Sequence, residues 1–275
     1  MLPVTSHEVR TSRWPYVTIC LIGINVIAFV FETTVGARFV PFLQEWGLVP
    51  GRVQAEVTVH NVLTVFTSLF LHVSWFHLVT NMWFLYVFGD AVEHALGRWW
   101  YLLLYLVSGF FGGMAFIATA HAAPIPGIGA SGAISGVLAA SLVMWPTARL
   151  RLWAPLLTVI VLLFVYRILV LIGIPPLLLG GPVLFIVGVL MTVLFMRNAG
   201  GLLRALLSVV PVPAYIVLGL FFGMQLWSGV MALVNPAYGG SVGYWAHVGG
   251  MIAGAACALI FPKQPLALPK RAILE

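Results

Sequence analysis

A serine, two histidines and an asparagine lie inside apolar runs of this sequence, where polar side chains are costly. The stretch PIPGIGASGAISGVL, residues 124–138, holds Ser131 between Ala130 and Gly132. The stretch LHVSWFHLVTN holds His77 and Asn81 four residues apart, on one face if the run is helical. The stretch YWAHVGGMIAG carries His247, the only histidine in a run that holds no Asp, Glu, Lys or Arg. Small and polar residues in apolar runs serve most often as packing: Gly132 with Gly136, and Gly250 with Gly254, each form a G-xxx-G contact motif. His77 and Asn81 could equally be interhelical hydrogen-bonding glue. What favours chemistry is that all four polar groups fall near the same ends of three helices. His247 can take the Ser131 proton as general base and return it to a leaving amine. Asn81, His77 and the Ser131 backbone N–H, unsatisfied at a helix start, can hold the developing oxyanion. Asp90 and Glu93 lie at the opposite end of their run, so the expected machinery is a Ser–His dyad with no carboxylate as third member.

The elements that must position these residues are read from apolar length. Of 275 residues, 62% are hydrophobic and 7% charged, far below the roughly one-quarter charged residues of an ordinary soluble domain. Runs approaching the about 20 residues needed to cross a bilayer recur almost throughout, at 15–33, 76–93, 99–120, 131–147, 153–173, 182–197, 212–234 and 244–261. The expected fold is an all-α polytopic membrane protein of eight transmembrane helices. It forms one domain over 1–261, followed by a short tail over 262–275. The first run is read as a retained span, because no clear small-residue cleavage site follows it. Residues 34–75, with Arg38, Glu45, Arg52, Glu56 and stretches such as FVPFLQEWGLV, are read as a structured loop at the membrane interface.

Charge supplies an orientation. The net charge of +6 is read through topology rather than as a nucleic-acid signal. With a cytoplasmic N-terminus, Arg10, Arg13, Arg98, Arg149, Arg151, Arg197, Arg204, Lys263, Lys270 and Arg271 all fall inside. The positive-inside rule therefore puts both termini in the cytoplasm. Cys20 and Cys257 both lie in apolar runs, and no Cys/His cluster has ligand spacing, so neither a disulfide nor a metal is expected. No cofactor is expected either; the partner that composition implies is the lipid bilayer. Asp90 and Glu93 are read as capping or pairing near the inner ends of helices, with Arg98 as a candidate partner. Gln225 and Trp227 are read as packing residues. His7, His60, His94 and His121 have no evident partner.

Three motifs together resemble the rhomboid family of intramembrane serine proteases. They are H-x-x-x-N (His77, Asn81), G-x-S-G (Gly129 to Gly132) and A-H-x-x-G-x-x-x-G (Ala246 to Gly254). FGDAVEHALG and GASGAISGVLAASLVMWPTARL look like the bacterial branch, and the resemblance covers roughly 14–152 and 205–261. It implies a six-helix core that cleaves transmembrane-helix substrates within the bilayer, in a bacterial cytoplasmic (inner) membrane. By position it makes Ser131 the nucleophile and His247 the base. His77 and Asn81 become oxyanion stabilisers, with Gly129 in the backbone that lines their site. The 212–234 run matches the family's lateral substrate gate. Two departures are visible: 34–75 lacks the Trp-Arg pair of many members, and Ser135 stands where some carry a Tyr that stacks on the catalytic His. The stretch about 153–197, broken by GIPPLLLGGP, is extra to a six-helix pattern. It is read as a helical hairpin inserted before the fifth core helix.

Two other functions fit parts of the pattern. One is an inactive rhomboid-like protein that binds membrane helices without cutting them; loss of Ser or His would mark it, and both are present here. The other is a small transporter with Arg167, His247 and Asn81 along a path. Transporters often show two related halves, and no internal repeat is visible.

Overall fold

The structure is a computed structural model, and it describes residues 14–120, 126–153, 209–234 and 243–264. In chain order it contains α1 (Tyr16–Thr34), α2 (Phe39–Trp46), α3 (Pro50–Ala55), α4 (Val59–Thr67), α5 (Trp75–Leu96), α6 (Arg98–Thr119) and α7 (Ser131–Met144). Then come β1 (Arg149–Trp153), β2 (Val209–Pro213), α8 (Ala214–Val234) and α9 (Tyr244–Ile260). Six of the eight expected runs are therefore helices. The other two, 153–173 and 182–197, lie outside the described residues, and the hairpin reading with them. So do the tail beyond 264, His7 and His121.

Among the described residues, α1, α6 and α8 are long and apolar enough to cross a membrane. A fourth candidate is the pair Val59–Phe70 and Trp75–Leu96, which bends by 82° at its break. The helices that open on Ser131 and Tyr244 are apolar but shorter.

The described residues are mostly helical, as expected, with one two-stranded ribbon that the apolar runs did not show. Helix α7 stops at Met144 rather than running to 147, because Trp145 precedes Pro146 and a residue before proline disfavours helical backbone. The chain then enters β1, which pairs antiparallel with β2, Arg149 opposite Pro213 and Trp153 opposite Val209. The β-branched valines of VVPVP suit a strand, and its prolines suit an edge. This ribbon belongs to one compact unit, and the helices on either side of it in sequence form another.

Within the helical unit, the polar residues near the first turn of α1 are tied to the far end of α5. Glu93, 3% exposed, accepts hydrogen bonds from Val17 N at 3.0 Å, Thr18 N at 2.8 Å and Thr18 Oγ1 at 2.8 Å. The carboxylate thus caps a helix start whose amides have no intrahelical acceptor. Arg98, the expected partner of the acidic pair, lies with its guanidinium 4.3 Å above the Tyr16 ring. Asp90 pairs with His94, 3.0 Å from its Nδ1.

The segment between α1 and α5 is a set of short helices locked by side chains on carbonyls. Arg52 donates to the carbonyls of Gln44, Glu45 and Gly47, which close the end of α2. Thr58 caps α4 through Asn61 N, and Thr67 Oγ1 donates to Trp46 O at 2.6 Å. This frame reaches the loop before α7: Leu48 exchanges two backbone hydrogen bonds with Gly127, and Gly129 N donates to Ser68 O at 2.8 Å.

Candidate active site

Ser131 is the first residue of α7, preceded by Ala130, which supplies no side-chain cap. The first-turn amides of α7 therefore have no acceptor within their own helix and face the N-terminal end with the positive side of its dipole. The approach to Ser131 is set by Gly129, whose φ of +115° is a conformation L side chains rarely adopt. A methyl there would also lie 2.7 Å from Cε1 of His77. Glycine is thus required both by the backbone and by the ring beside it.

His77 and Asn81 stand in the first two turns of α5, which Ser74 caps by accepting from His77 N at 3.2 Å. One Asn81 amide hydrogen goes to His77 O at 3.0 Å. The same amide nitrogen faces the Gly129 backbone, 3.8 Å from where a Cβ would stand. The two side chains thus line the turn that leads into Ser131, two residues on. His77 Nδ1 is buried and without a hydrogen-bond partner among the described residues. Beyond it, His72 is fully buried with its ring 5.0 Å from that of His77. Burial first, and the neighbouring His77 second, push the His72 pKa down to about 4, so it stands neutral.

His247 arrives from α9, in its first turn. Its Nε2 lies 2.8 Å from Ser131 Oγ, within reach for direct proton transfer. Its Nδ1 lies 2.8 Å from Gln225 Oε1 on α8. The dyad residues, 116 positions apart in sequence, meet because α6, α7 and α9 pack at backbone distance. A methyl on Gly250 would collide with the Gly132 carbonyl, one on Gly254 with the Gly136 backbone, and one on Gly112 of α6 would lie 2.6 Å from Ala246 O. Gly132 and Gly136 of GASGAISG therefore pack, and Ser131 beside them faces the histidine. One stretch serves both purposes.

Sequence reasoning read Gln225 as a packing residue, whereas the structure puts its amide on the imidazole. The available signal was an amide in the middle of an otherwise apolar run, but no spacing pattern ties residue 225 to residue 247. Trp227, treated alike, is 38% exposed and makes no contact with the site that the described geometry records.

The family profile described as the Rhomboid domain matches residues 59–198, which include His77, Asn81, Gly129 and Ser131. RHOMBOID-like protein 1 of Arabidopsis thaliana is 37% identical over 121 residues, 42% of this chain and 30% of the relative. RHOMBOID-like protein 12, mitochondrial, of Arabidopsis thaliana is 33% identical over 106 residues, 32% of this chain and 31% of the relative. The human Presenilin-associated rhomboid-like protein, mitochondrial, is 36% identical over 89 residues, 31% of this chain and 23% of the relative. The chain thus spans less than a third of the length of each of these relatives.

Proposed function

The chain belongs to the rhomboid family, and from that membership we propose that this integral membrane protein is a serine endopeptidase. It hydrolyses peptide bonds in or near transmembrane segments of other membrane proteins. The single observation that carries the reading is the 2.8 Å contact between Ser131 Oγ and His247 Nε2. It joins the two residue types that make an activated nucleophile.

In the proposed reaction, His247 Nε2 takes the Ser131 hydroxyl proton as Oγ bonds to the carbonyl carbon of the scissile peptide. The carbonyl oxygen becomes an oxyanion. It is held by side-chain donors of His77 and Asn81 and by the Ser131 backbone N–H, with Gly129 keeping the cradle open. When the tetrahedral adduct collapses, the C–N bond breaks and His247 returns the proton to the leaving nitrogen. Water then attacks the Ser131 ester, giving one proton to His247 and releasing the new carboxyl end. His247 hands that proton back to Ser131 Oγ. No metal or cofactor is needed to balance either half.

The setting is a bilayer. Helix α7 has 14 residues and so rises about 21 Å, less than the about 30 Å of hydrocarbon. A helix that short, with its far end at one boundary, starts its first residue well inside the other. That supports cleavage below the membrane surface. We read α1, α5, α6, α7, α8 and α9 as the protease core and the stretch about 153–197 as an inserted hairpin, within a single domain over 1–261. Eight spans then leave both termini in the cytoplasm of a bacterial cell. The mitochondrial location in two relatives' names is a statement about those proteins.

The test is a cleavage assay on a panel of single-span substrates in proteoliposomes, with Ser131→Ala alongside. Wild type is expected to cut at least one substrate and Ser131→Ala none. Equal cleavage by both would refute the assignment, and binding without cutting by wild type would favour an inactive helix-binding member.

A further inference from the structure

We infer that Gln225 is a positioning residue. Its Oε1 accepts the Nδ1–H of His247 and so holds the imidazole in the tautomer whose bare Nε2 can take the Ser131 proton. This rests on the proteolytic reading proposed above.

Two hydrogen bonds of 2.8 Å, Ser131 Oγ to His247 Nε2 and His247 Nδ1 to Gln225 Oε1, form one chain through α7, α9 and α8. A neutral imidazole carries a single N–H. If Nδ1 carries it, Nε2 has the lone pair a base needs. If Nε2 carries it, the ring donates to serine and cannot deprotonate it. An acceptor on Nδ1 is therefore what decides whether this histidine is a base. An amide carbonyl is an acceptor without charge, which suits a site where a buried carboxylate would carry a heavy desolvation cost.

The amide is held in place by the packing of α8 on α9. Gln225 and Gly229 are four residues apart on one face of α8, and Phe222 continues that face. Trp245 Nε1 donates to Gly229 O at 2.9 Å. A methyl on Gly229 would stand 3.1 Å from that same ring, so the tryptophan lies flush on α8 backbone. Phe222 packs against the buried cluster of Ala139 on α7 and Val248 and Met251 on α9, as Trp245 does. The register of α8 on α9 is thus fixed one turn from Gln225, which brings its side chain to the height of His247. Among the described residues, the groups that face the imidazole are Ser131 from α7, Gln225 from α8 and His77 from α5, with no acid among them.

The experiment measures kcat and KM against pH for purified full-length wild type, Gln225→Leu and Gln225→Glu in proteoliposomes. Thermal midpoints and a Ser131→Ala control accompany them. Gln225→Leu keeps the bulk and loses the acceptor, so kcat should fall roughly 10- to 100-fold with KM unchanged, less than the loss on mis-setting an anionic triad member. Gln225→Glu restores an acceptor and makes it anionic. It should recover most of the leucine variant's loss and move the acid limb of the profile to higher pH. In a His247→Ala background, Gln225→Leu should cost nothing further, because the two act as a unit. Wild-type kcat in Gln225→Leu would overturn the inference while leaving the protease intact. Equal losses in both variants, with lowered thermal midpoints and an unmoved pH limb, would make Gln225 structural. Absence of Ser131-dependent cleavage in wild type would remove the proteolytic reading itself, and this inference with it.

Discussion

His247 makes both of its side-chain hydrogen bonds across helix boundaries, one to a nucleophile and one to a neutral acceptor. At this scale the sequence was most legible where residue type alone is unusual. A histidine and a serine in apolar runs must be explained, and the structure joins them. Gln225 was not legible, because an amide in an apolar run fits a packing role as well as a hydrogen bond to a base. Only the register of α8 on α9 separates the two. If Ser131 and His247 form a unit, Ser131→Ala, His247→Ala and the double variant should lose cleavage equally, measured as initial rates. A double variant much slower than both singles would mean the two act independently. The oxyanion donors act separately from that unit. Asn81→Ala and His77→Ala should each slow cleavage about 10²–10³-fold yet leave measurable turnover. Full activity in both would return them to interhelical glue.

Apolar length marked six runs that are helices among the described residues, because a membrane chain must satisfy its backbone internally. The ribbon was not marked, because its two strands lie far apart in sequence and one of them, RLRLW, reads as a charged loop. The G-xxx-G pairs were legible as close contacts, but not which helix each one meets. The structure sets Gly132 against Gly250 and Gly136 against Gly254. That contact holds Ser131 and His247 at bonding distance from 116 positions apart. A Val at Gly254 would place its Cβ into Gly136 backbone and push α9 away from α7. Gly254→Val should therefore abolish cleavage as completely as His247→Ala, with Ser131 and His247 both still present. The thermal midpoint of the variant checks that it remains folded. A folded, fully active Gly254→Val would show that the α7–α9 contact does not set the dyad.

For the molecule as a whole, the proposed orientation follows from where Arg and Lys fall, a pattern that composition makes legible without any structure. Side of membrane is read by cysteine accessibility in a variant lacking Cys20 and Cys257. A Cys at Glu56 or Gly180 should react with impermeant reagent from outside intact cells, and one at Thr147 or Asn198 should not. The opposite pattern at Glu56 and Thr147 would invert the orientation; the opposite at Gly180 and Asn198 would remove the hairpin and the eight-span topology. The central claim, that the helices assemble Ser131 and His247 into a nucleophile, is met most directly by a serine-directed fluorophosphonate and peptide mapping by mass spectrometry. Wild type should carry the adduct on Ser131, and Ser131→Ala and His247→Ala should carry none. Folded wild type that stays unlabelled, or an adduct that persists in Ser131→Ala, would contradict it.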